Sequence, residues 1–590
     1  MKFLKNKIKN LKDSFISMLK FLRFLRPFKF KLFLLIILLL IGSTVSISSP
    51  LIVRFFIDNV ILSRNVILLY KATGIFILIN IITSVVSFIL EYQYGWVSNQ
   101  IVFNMKKELF DHIIHLPIDF FNDKKIGDIV YRIDNEIQII QTALTSCVLR
   151  IFNNLLMIIG IAGILIWLNY KIFISICLLA PFFFLFSKFF QKKIHLTTKL
   201  FREQRARLME FYFERFEKIF LIKIFNKYNN EQENHNRIVS KSISIDMRNI
   251  KLTSLLKNLS VFLFLMAPTI ILGYGGYYVI IGVISIGTLV AYIQYIGRLY
   301  PPLKDILNLY VELIKATASL NRIWDILEIP REDDIKNQNK LMDFEFNNSI
   351  KFDNLTFKYK DKEKEILKGI NLCIHKGQKI AFVGLNGSGK STLAKLICRF
   401  HSIENGSIKI DDRNINDINL LNLRKNITLI TQENQLLNAS ILNNIKYGNA
   451  DITAKRVNEY LKEYNFFDNI TGEENRLNLY ELNALSLSEG QKQLIAIIRG
   501  IERNSSIYIY DESTSNMDTQ NEAKIINDLI LCKNKKTVIL ITHNLKLLKN
   551  VDRIYVINDG QIIEEGTYES LMYNSKYFME IFNIKTKELQ

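Results

Sequence analysis

The sequence predicts an all-α, six-helix membrane-spanning domain followed by an α/β domain that stands in water. Three observations carry this. Six mostly apolar stretches of about 20 residues fall before residue 304, each long enough to cross a bilayer. The basic excess lies in the same half: residues 1–330 hold 40 Lys and Arg against 21 Asp and Glu, whereas residues 331–590 hold 36 against 35. From about Phe344, short β-branched runs alternate with helix-patterned ones. At 590 residues the chain exceeds one domain, and 49% apolar content beside 22% charged residues fits a chain that is part membrane and part soluble. The expected division is a membrane domain over 1–327, a linker over 328–343 and a soluble domain over 344–590.

The spans are Leu32 to Phe56, about 66–90, 148–168, 171–190, 259–281 and 283–303. Turns after the first, third and fifth are short; the third is about Leu168 to Lys171. The segments after the second and fourth, roughly 91–147 and 188–258, are long and basic, with Lys106, Lys107, Lys192, Lys193, Arg202, Arg205 and Arg207. Lys and Arg stay with the cytoplasmic leaflet, which puts these segments and both ends of the membrane half in the cytoplasm. Ten basic residues precede Leu32, and Lys12 to Phe30 reads as an amphipathic entry helix rather than a cleaved signal. With about 31 residues before the first span, no cargo-trimming protease domain is expected. Pro301-Pro302 predicts a kink or break in the sixth span. Because the basic residues border apolar runs, no nucleic-acid partner is expected. The five cysteines have neither metal-ligand nor redox spacing.

The chemistry sits in the second half. Gly384-Leu-Asn-Gly-Ser-Gly-Lys-Ser391 fits G-x-x-x-x-G-K-[ST], with a strand (Lys379 to Val383) before it and a helix (Thr392 to Arg399) after. Gly384, Gly387 and Gly389 let the backbone wrap around phosphates, Asn386 and Ser388 complete the loop, Lys390 reaches the β- and γ-phosphates and Ser391 ligates Mg²⁺. The helix N-terminus at Thr392 adds a field that favours anions. A second apolar strand, Ile507 to Tyr510, ends in Asp511-Glu512. An acid there can hold the Mg²⁺ shell and its neighbour can polarise water as a general base.

Leu487-Ser-Glu-Gly-Gln491 precedes an apolar helix and resembles the Leu-Ser-Gly-Gly-Gln signature of the ATP-binding cassette (ABC) family. The likeness spans the whole chain, because six spans, long inward loops and a C-terminal cassette are the order of that family's exporters. The resemblance implies further assignments. Tyr359 stacks on adenine. Gln432 senses Mg²⁺ and water. Asp518, in Ser515-Asn-Met-Asp518, belongs to a loop crossing a dimer interface, and His543 contacts the γ-phosphate. Ser488, Gly490 and Gln491 face the nucleotide of an opposite subunit. ATP and Mg²⁺ are the implied cofactors, and the partner is a second copy or a related half-transporter. Closure of two cassettes over two ATP molecules would swing inward-projecting helices and open the cavity outward. Two tips, Asp119 to Asn122 and Phe211 to Phe216, are expected to press aromatic side chains on a cassette.

Two features depart from the pattern. Glu489 replaces the first signature glycine, so a slower or asymmetric ATPase is expected, and Thr471 to Ala484 matches the exporters' coupling segment poorly. For cargo, Arg298 and Gln294, one turn apart on the sixth span, are candidates to face an anionic group. Arg54 and Asp58 read as a structural ion pair. The function expected is export of a peptide, lipid or drug-like amphiphile. The alternative is an ATP-gated channel or regulatory subunit with little turnover. A soluble ATPase of chromosome or repair type would need polar coiled coils where the apolar spans stand. The abundance of Lys, Asn and Ile suggests an AT-rich bacterial genome, hence a plasma membrane.

Overall fold

The computed structural model describes residues 22–123, 126–142, 148–332, 343–359, 364–432, 435–464, 466, 480–512 and 536–582. The chain divides into two compact units: Met1–Ile113 with Gly127–Glu328, and Ile114–Ile126 with Ile329–Gln590.

The first unit is helical. Helices α1 (Lys29–Phe55) and α2 (Val66–Ile114) are followed by α3 (Ile118–Asp123), which packs with the second unit. Then come α4 (Val148–Cys177), α5 (Leu179–Glu217), α6 (Tyr228–Ile270) and α7 (Ile286–Leu327). Among the described residues four stretches are long and apolar enough to cross a bilayer: Arg26–Ile61, Val66–Ile114, Leu149–Cys177 and Tyr228–Ile280. The two other expected spans are helices too, but more polar ones. Lys188, Lys192 and Lys193 enter α5, while α7 carries Gln294 and Arg298. At 49 residues, α2 is about 70 Å long, far more than a bilayer core needs.

Polar side chains tie α7 to its neighbours, as a hydroxyl surrounded by lipid-like side chains must find an acceptor. Tyr292 and Tyr295 are fully buried. The Tyr292 hydroxyl donates to the carbonyls of Leu165 and Asn169, and Tyr295 donates to Ile47 O at 2.7 Å. Asn169 is itself non-helical, and its Oδ1 accepts from Lys171 N at 3.0 Å and Ile172 N at 3.3 Å. That cap separates the third and fourth expected spans at the short turn the sequence predicts. Asp58 pairs with Arg54 at 3.6 Å and also caps α7, accepting from Ser285 Oγ at 2.5 Å and Gly287 N at 2.9 Å. A side chain at 287 would collide with that carboxylate, its Cβ lying 2.6 Å from Asp58 Oδ1.

Two expectations change here. Helix α7 runs through Pro301 and Pro302 without the break that they could have made; membrane helices tolerate proline where neighbours satisfy the freed carbonyls. The second tip lies further along than Phe211 to Phe216, which stand on α5. The chain turns instead at Lys218, through the short helix Ile219–Ile224 and the left-handed Asn226 (φ 48°), into α6. Tyr212 to His235 (3.0 Å) and Arg215 to Glu231 (2.5 Å) hold α5 against α6 below that turn. Phe213, Phe216 and Phe220 are exposed.

The second unit carries two sheets. The antiparallel sheet has the order β2-β1-β4-β5, from β1 (Ser349–Phe357), β2 (Leu367–His375), β4 (Asn405–Ile410) and β5 (Arg413–Asn414). The six-stranded sheet has the order β10-β9-β3-β8-β7-β6. Its members are β3 (Lys379–Val383), β6 (Ile427–Ile430), β7 (Ile507–Asp511), β8 (Thr537–Ile541), β9 (Arg553–Asn558) and β10 (Gln561–Gly566). All pairs but β9–β10 are parallel. Both faces are covered: Ala381, Val383, Tyr510 and Leu540 pack into one core, and Ile380, Phe382, Ile509 and Ile541 into the other. Burial on both sides explains why these strands read as continuous apolar runs. Helix α8 (Lys390–Ile397) follows β3, and α9 (Glu489–Glu502) precedes β7.

The segment holding α3 joins this unit through named contacts. His115 O accepts from Glu332 N at 2.7 Å, Glu332 receives both arms of Arg424 (3.0 and 2.5 Å), and Phe120 is 7% exposed.

Candidate active site

Ligands in open α/β sheets sit beyond the carboxyl ends of the strands, and here β3, β7 and β8 place their last residues side by side. From β3 the chain enters the glycine-rich loop. Gly384, Gly387 and Gly389 take φ of 154°, 82° and 107°, a region that side-chain-bearing residues avoid. At Gly384 the restriction is also steric, since a Cβ would lie 2.0 Å from Ile557 O. The loop closes on itself around Lys390, which is 5% exposed and donates to Gly384 O (2.7 Å) and Leu385 O (2.9 Å). Burial lowers the Lys390 ammonium pKa, while the Glu512 and Asp511 carboxylates oppose that shift. Ser388 is 5% exposed, and its Oγ has no hydrogen-bond partner among the described residues. A buried donor aimed into a glycine loop beside a buried ammonium is the unmet half of an anion site, so the residues fit a phosphate chain.

The second strand brings the acids. Ser391 Oγ donates to Asp511 Oδ1 at 3.0 Å, closing the first turn of α8 onto the end of β7. Glu512 follows in the left-handed region (φ 48°), with its amide held by Ile541 O at 2.9 Å. The third strand brings His543, whose Nε2 is 3.2 Å from Glu512 Oε1. Loop, two acids and histidine therefore converge from three adjacent parallel strands. Thr392 Oγ1 lies 3.2 Å from the Tyr359 hydroxyl, which places Tyr359 beside the first turn of α8. Gln432 is exposed just past β6, the edge strand.

The signature residues are engaged separately. Ser488 caps α9 in a capping box with Gln491, and Gln491 Nε2 donates to Phe466 O at 3.0 Å. Glu489 stands in the first helical turn, paired with Lys492 at 2.8 Å, and Gly490 follows it. Asp518 and most of 471–484 lie outside the described residues. In the helical unit, Arg298 donates to Ser46 O and to Ser49 Oγ (3.1 Å). Gln294 is half-buried one turn before it.

Two family models match the chain: the ABC transporter transmembrane region over residues 32–303 and the ABC transporter domain over 367–515. The chain belongs to the ATP-binding cassette exporters. A multidrug export ATP-binding/permease protein of Bacillus subtilis is 26% identical over 582 residues, covering 96% of this chain and 99% of the relative. One from Staphylococcus aureus is 29% identical over 581 residues with the same coverage. A solved bacterial Atm1-family ABC exporter with ATP bound has the same fold, with TM-score 0.77 at 20% identity over 96% of this chain and 99% of that one. The exporter thus fuses a helical membrane domain to a nucleotide-binding ATPase domain, and it uses ATP hydrolysis to drive export.

Burial raises the Asp511 carboxyl above its ordinary value of 3.8, against the Ser391 hydroxyl that lowers it. The folded chain then holds that proton at higher pH than the unfolded chain does. Its stabilising share is present in full below 3.8 and is lost as pH rises through the folded value, so at neutral pH the ionised group costs stability. Asp511→Asn is therefore expected to raise the apparent melting temperature of the nucleotide-free exporter at pH 7, with a smaller gain at pH 4. Scanning fluorimetry at the two pH values checks this; a lower melting temperature at pH 7 would mean that the Ser391 bond outweighs burial.

Proposed function

We propose that two copies of this exporter, or one copy and a close relative, close head to tail over two MgATP molecules and move amphiphilic, drug-like compounds out of the cytoplasmic leaflet of a bacterial plasma membrane. The observation that carries the reading is the Ser391–Asp511 bond standing beside the Glu512–His543 pair. Ser391 and Asp511 hold Mg²⁺, with Gln432 reaching it through water. Lys390, Ser388 and the loop amides receive the phosphates, Thr392 flanks them and Tyr359 stacks on the base. Glu512 orients and deprotonates the attacking water, and His543 reports the γ-phosphate.

Ser488, Gly490 and Gln491 start α9, and the N-terminus of a 14-residue helix favours an anion. The resemblance of Leu487 to Gln491 to the family's signature assigns them to the partner's nucleotide, with Asp518 at the same interface. The exposed aromatic turn at 218–227 suits a second copy's cassette. The basic bias of the long loops places the cassette and N-terminus in the cytoplasm. The multidrug names carried by the relatives support a broad apolar cargo range.

The test is the purified chain in lipid, with ATP turnover measured alone and with dyes, peptides and lipids. Stimulated turnover with cargo movement supports the exporter. Normal ATP binding with no turnover would favour a gated channel.

For cargo, Arg298 and Gln294 separate by experiment. Arg298 grips α1, so Arg298→Ala is expected to cost stability, about 1–3 kcal/mol for its charged hydrogen bonds, whatever the cargo. Gln294→Ala is expected to leave melting unchanged and shift the half-stimulating concentration of dyes by about threefold. A thermal melt beside a dye-stimulated ATPase titration reads both, and an unmoved dye response in Gln294→Ala retires the residue as a cargo contact.

A further inference from the structure

We propose that His401 is a positioning residue through which the base bound at Tyr359 sets the placement of α3. The inference rests on the nucleotide reading above and extends it to a specific conduit. His401 lies just past α8 on a turn that is fixed from several sides. Arg399 is left-handed (φ 50°) and donates to Ile415 O (2.9 Å) and Ile418 O (2.7 Å). Arg424 donates to Cys398 O (3.2 Å) and Arg399 O (3.1 Å). Arg399 N donates to Leu396 O (2.9 Å) and Phe400 N to Lys395 O (3.0 Å), which ties the backbone under the imidazole to the last turn of α8.

The ring is 6% exposed, and a buried imidazole needs polar partners. Its Nδ1 lies 2.7 Å from Asp119 Oδ1 on α3. It meets Tyr359 edge-to-face, with centroids 5.1 Å apart and planes at 89°, and lies 5.7 Å from the Phe357 ring. One imidazole thus touches the aromatic beside the nucleotide loop and the carboxylate of α3. Edge-to-face contacts constrain relative ring angle, and hydrogen bonds weaken steeply with misalignment. A base stacked on Tyr359 fixes that ring plane. The imidazole keeps its contact in one orientation, and in that orientation Nδ1 points at Asp119. Base binding and the Asp119 bond then favour the same arrangement, which is the requirement for coupling two sites.

The experiment is hydrogen exchange on the full chain in lipid nanodiscs, with and without the non-hydrolysable analogue AMP-PNP. In the native exporter AMP-PNP is expected to slow exchange over both 384–392 and 116–122. His401→Phe keeps the aromatic contact and loses Nδ1; Asp119→Ala removes the other partner. Each is expected to lower the AMP-PNP protection of 116–122 by about tenfold, the scale of ordinary two-site coupling, with 384–392 still protected and the double variant no worse than either single one. Should one single variant fail to fold, the other still decides. Unchanged protection of 116–122 in a folded single variant, or losses that add in the double variant, would overturn the proposal. In the native chain, protection of 384–392 without 116–122 sinks the conduit alone, whereas protection of neither sinks the nucleotide reading with it.

Discussion

Glu512→Gln is expected to leave ATP affinity within about twofold and to cut turnover by about 10²–10⁴-fold, the usual worth of a positioned general base. The carboxylate is well placed for that role. It follows the last residue of β7, its amide is pinned to β8, and its Oε1 is 3.2 Å from His543 Nε2. Glutamine keeps the size and can still bond the imidazole, but it cannot take a proton from water. Steady-state phosphate release beside equilibrium binding of labelled ATP separates the two effects. Hydrolysis near the native rate would remove Glu512 from the chemistry and leave the acid's left-handed backbone unexplained.

Lys390→Met should act on the other quantity. ATP affinity is expected to fall by about 10–100-fold, the loss of one to two charge-assisted hydrogen bonds. In the free site the ammonium is buried against two loop carbonyls, and burial already disfavours its charge. An incoming polyphosphate supplies the anion that this desolvated cation lacks. Methionine fills the stem volume but leaves Gly384 O and Leu385 O without that donor, so some loss of melting temperature is expected beside the loss of affinity. Fluorescent-ATP titration checks the affinity, and equal binding by native and variant chains would place the phosphates elsewhere.

The soluble half was legible because its rules are local. Three glycines in eight residues announce a backbone path that other residues cannot follow, and they take positive φ as that path requires. Apolar strand runs give away a sheet covered on both sides. The membrane half was legible by length, though α7 is more polar than the four strongly apolar spans because it serves as the hub to which α1 and α4 are tied. The placement of aromatic tips was not legible: Phe211 to Phe216 and Ile219 to Phe225 are both rich in aromatic and aliphatic residues, and the left-handed Asn226 marks the second as the one that makes the turn. Arg298 could be read from sequence as a cargo contact or as a packing residue; its bonds to Ser46 and Ser49 give it a structural task. His401 offered no signal at all. Its partner lies 282 positions away, so neither periodicity nor motif could join them.

That separation has a consequence for how the molecule is made. Asp119 leaves the ribosome 282 residues ahead of His401, which at ordinary elongation rates is roughly 15–60 s. Throughout that interval the apolar segment around Phe120 has been synthesised while the surface that will cover it has not. Such a segment invites premature association, and the nascent chain needs either a chaperone or the nearby bilayer to shield it. For the same reason, a fragment starting at residue 344 would leave uncovered the surface on which Leu116 and Phe120 are buried, and its solubility should improve when a peptide spanning 114–126 is supplied in trans.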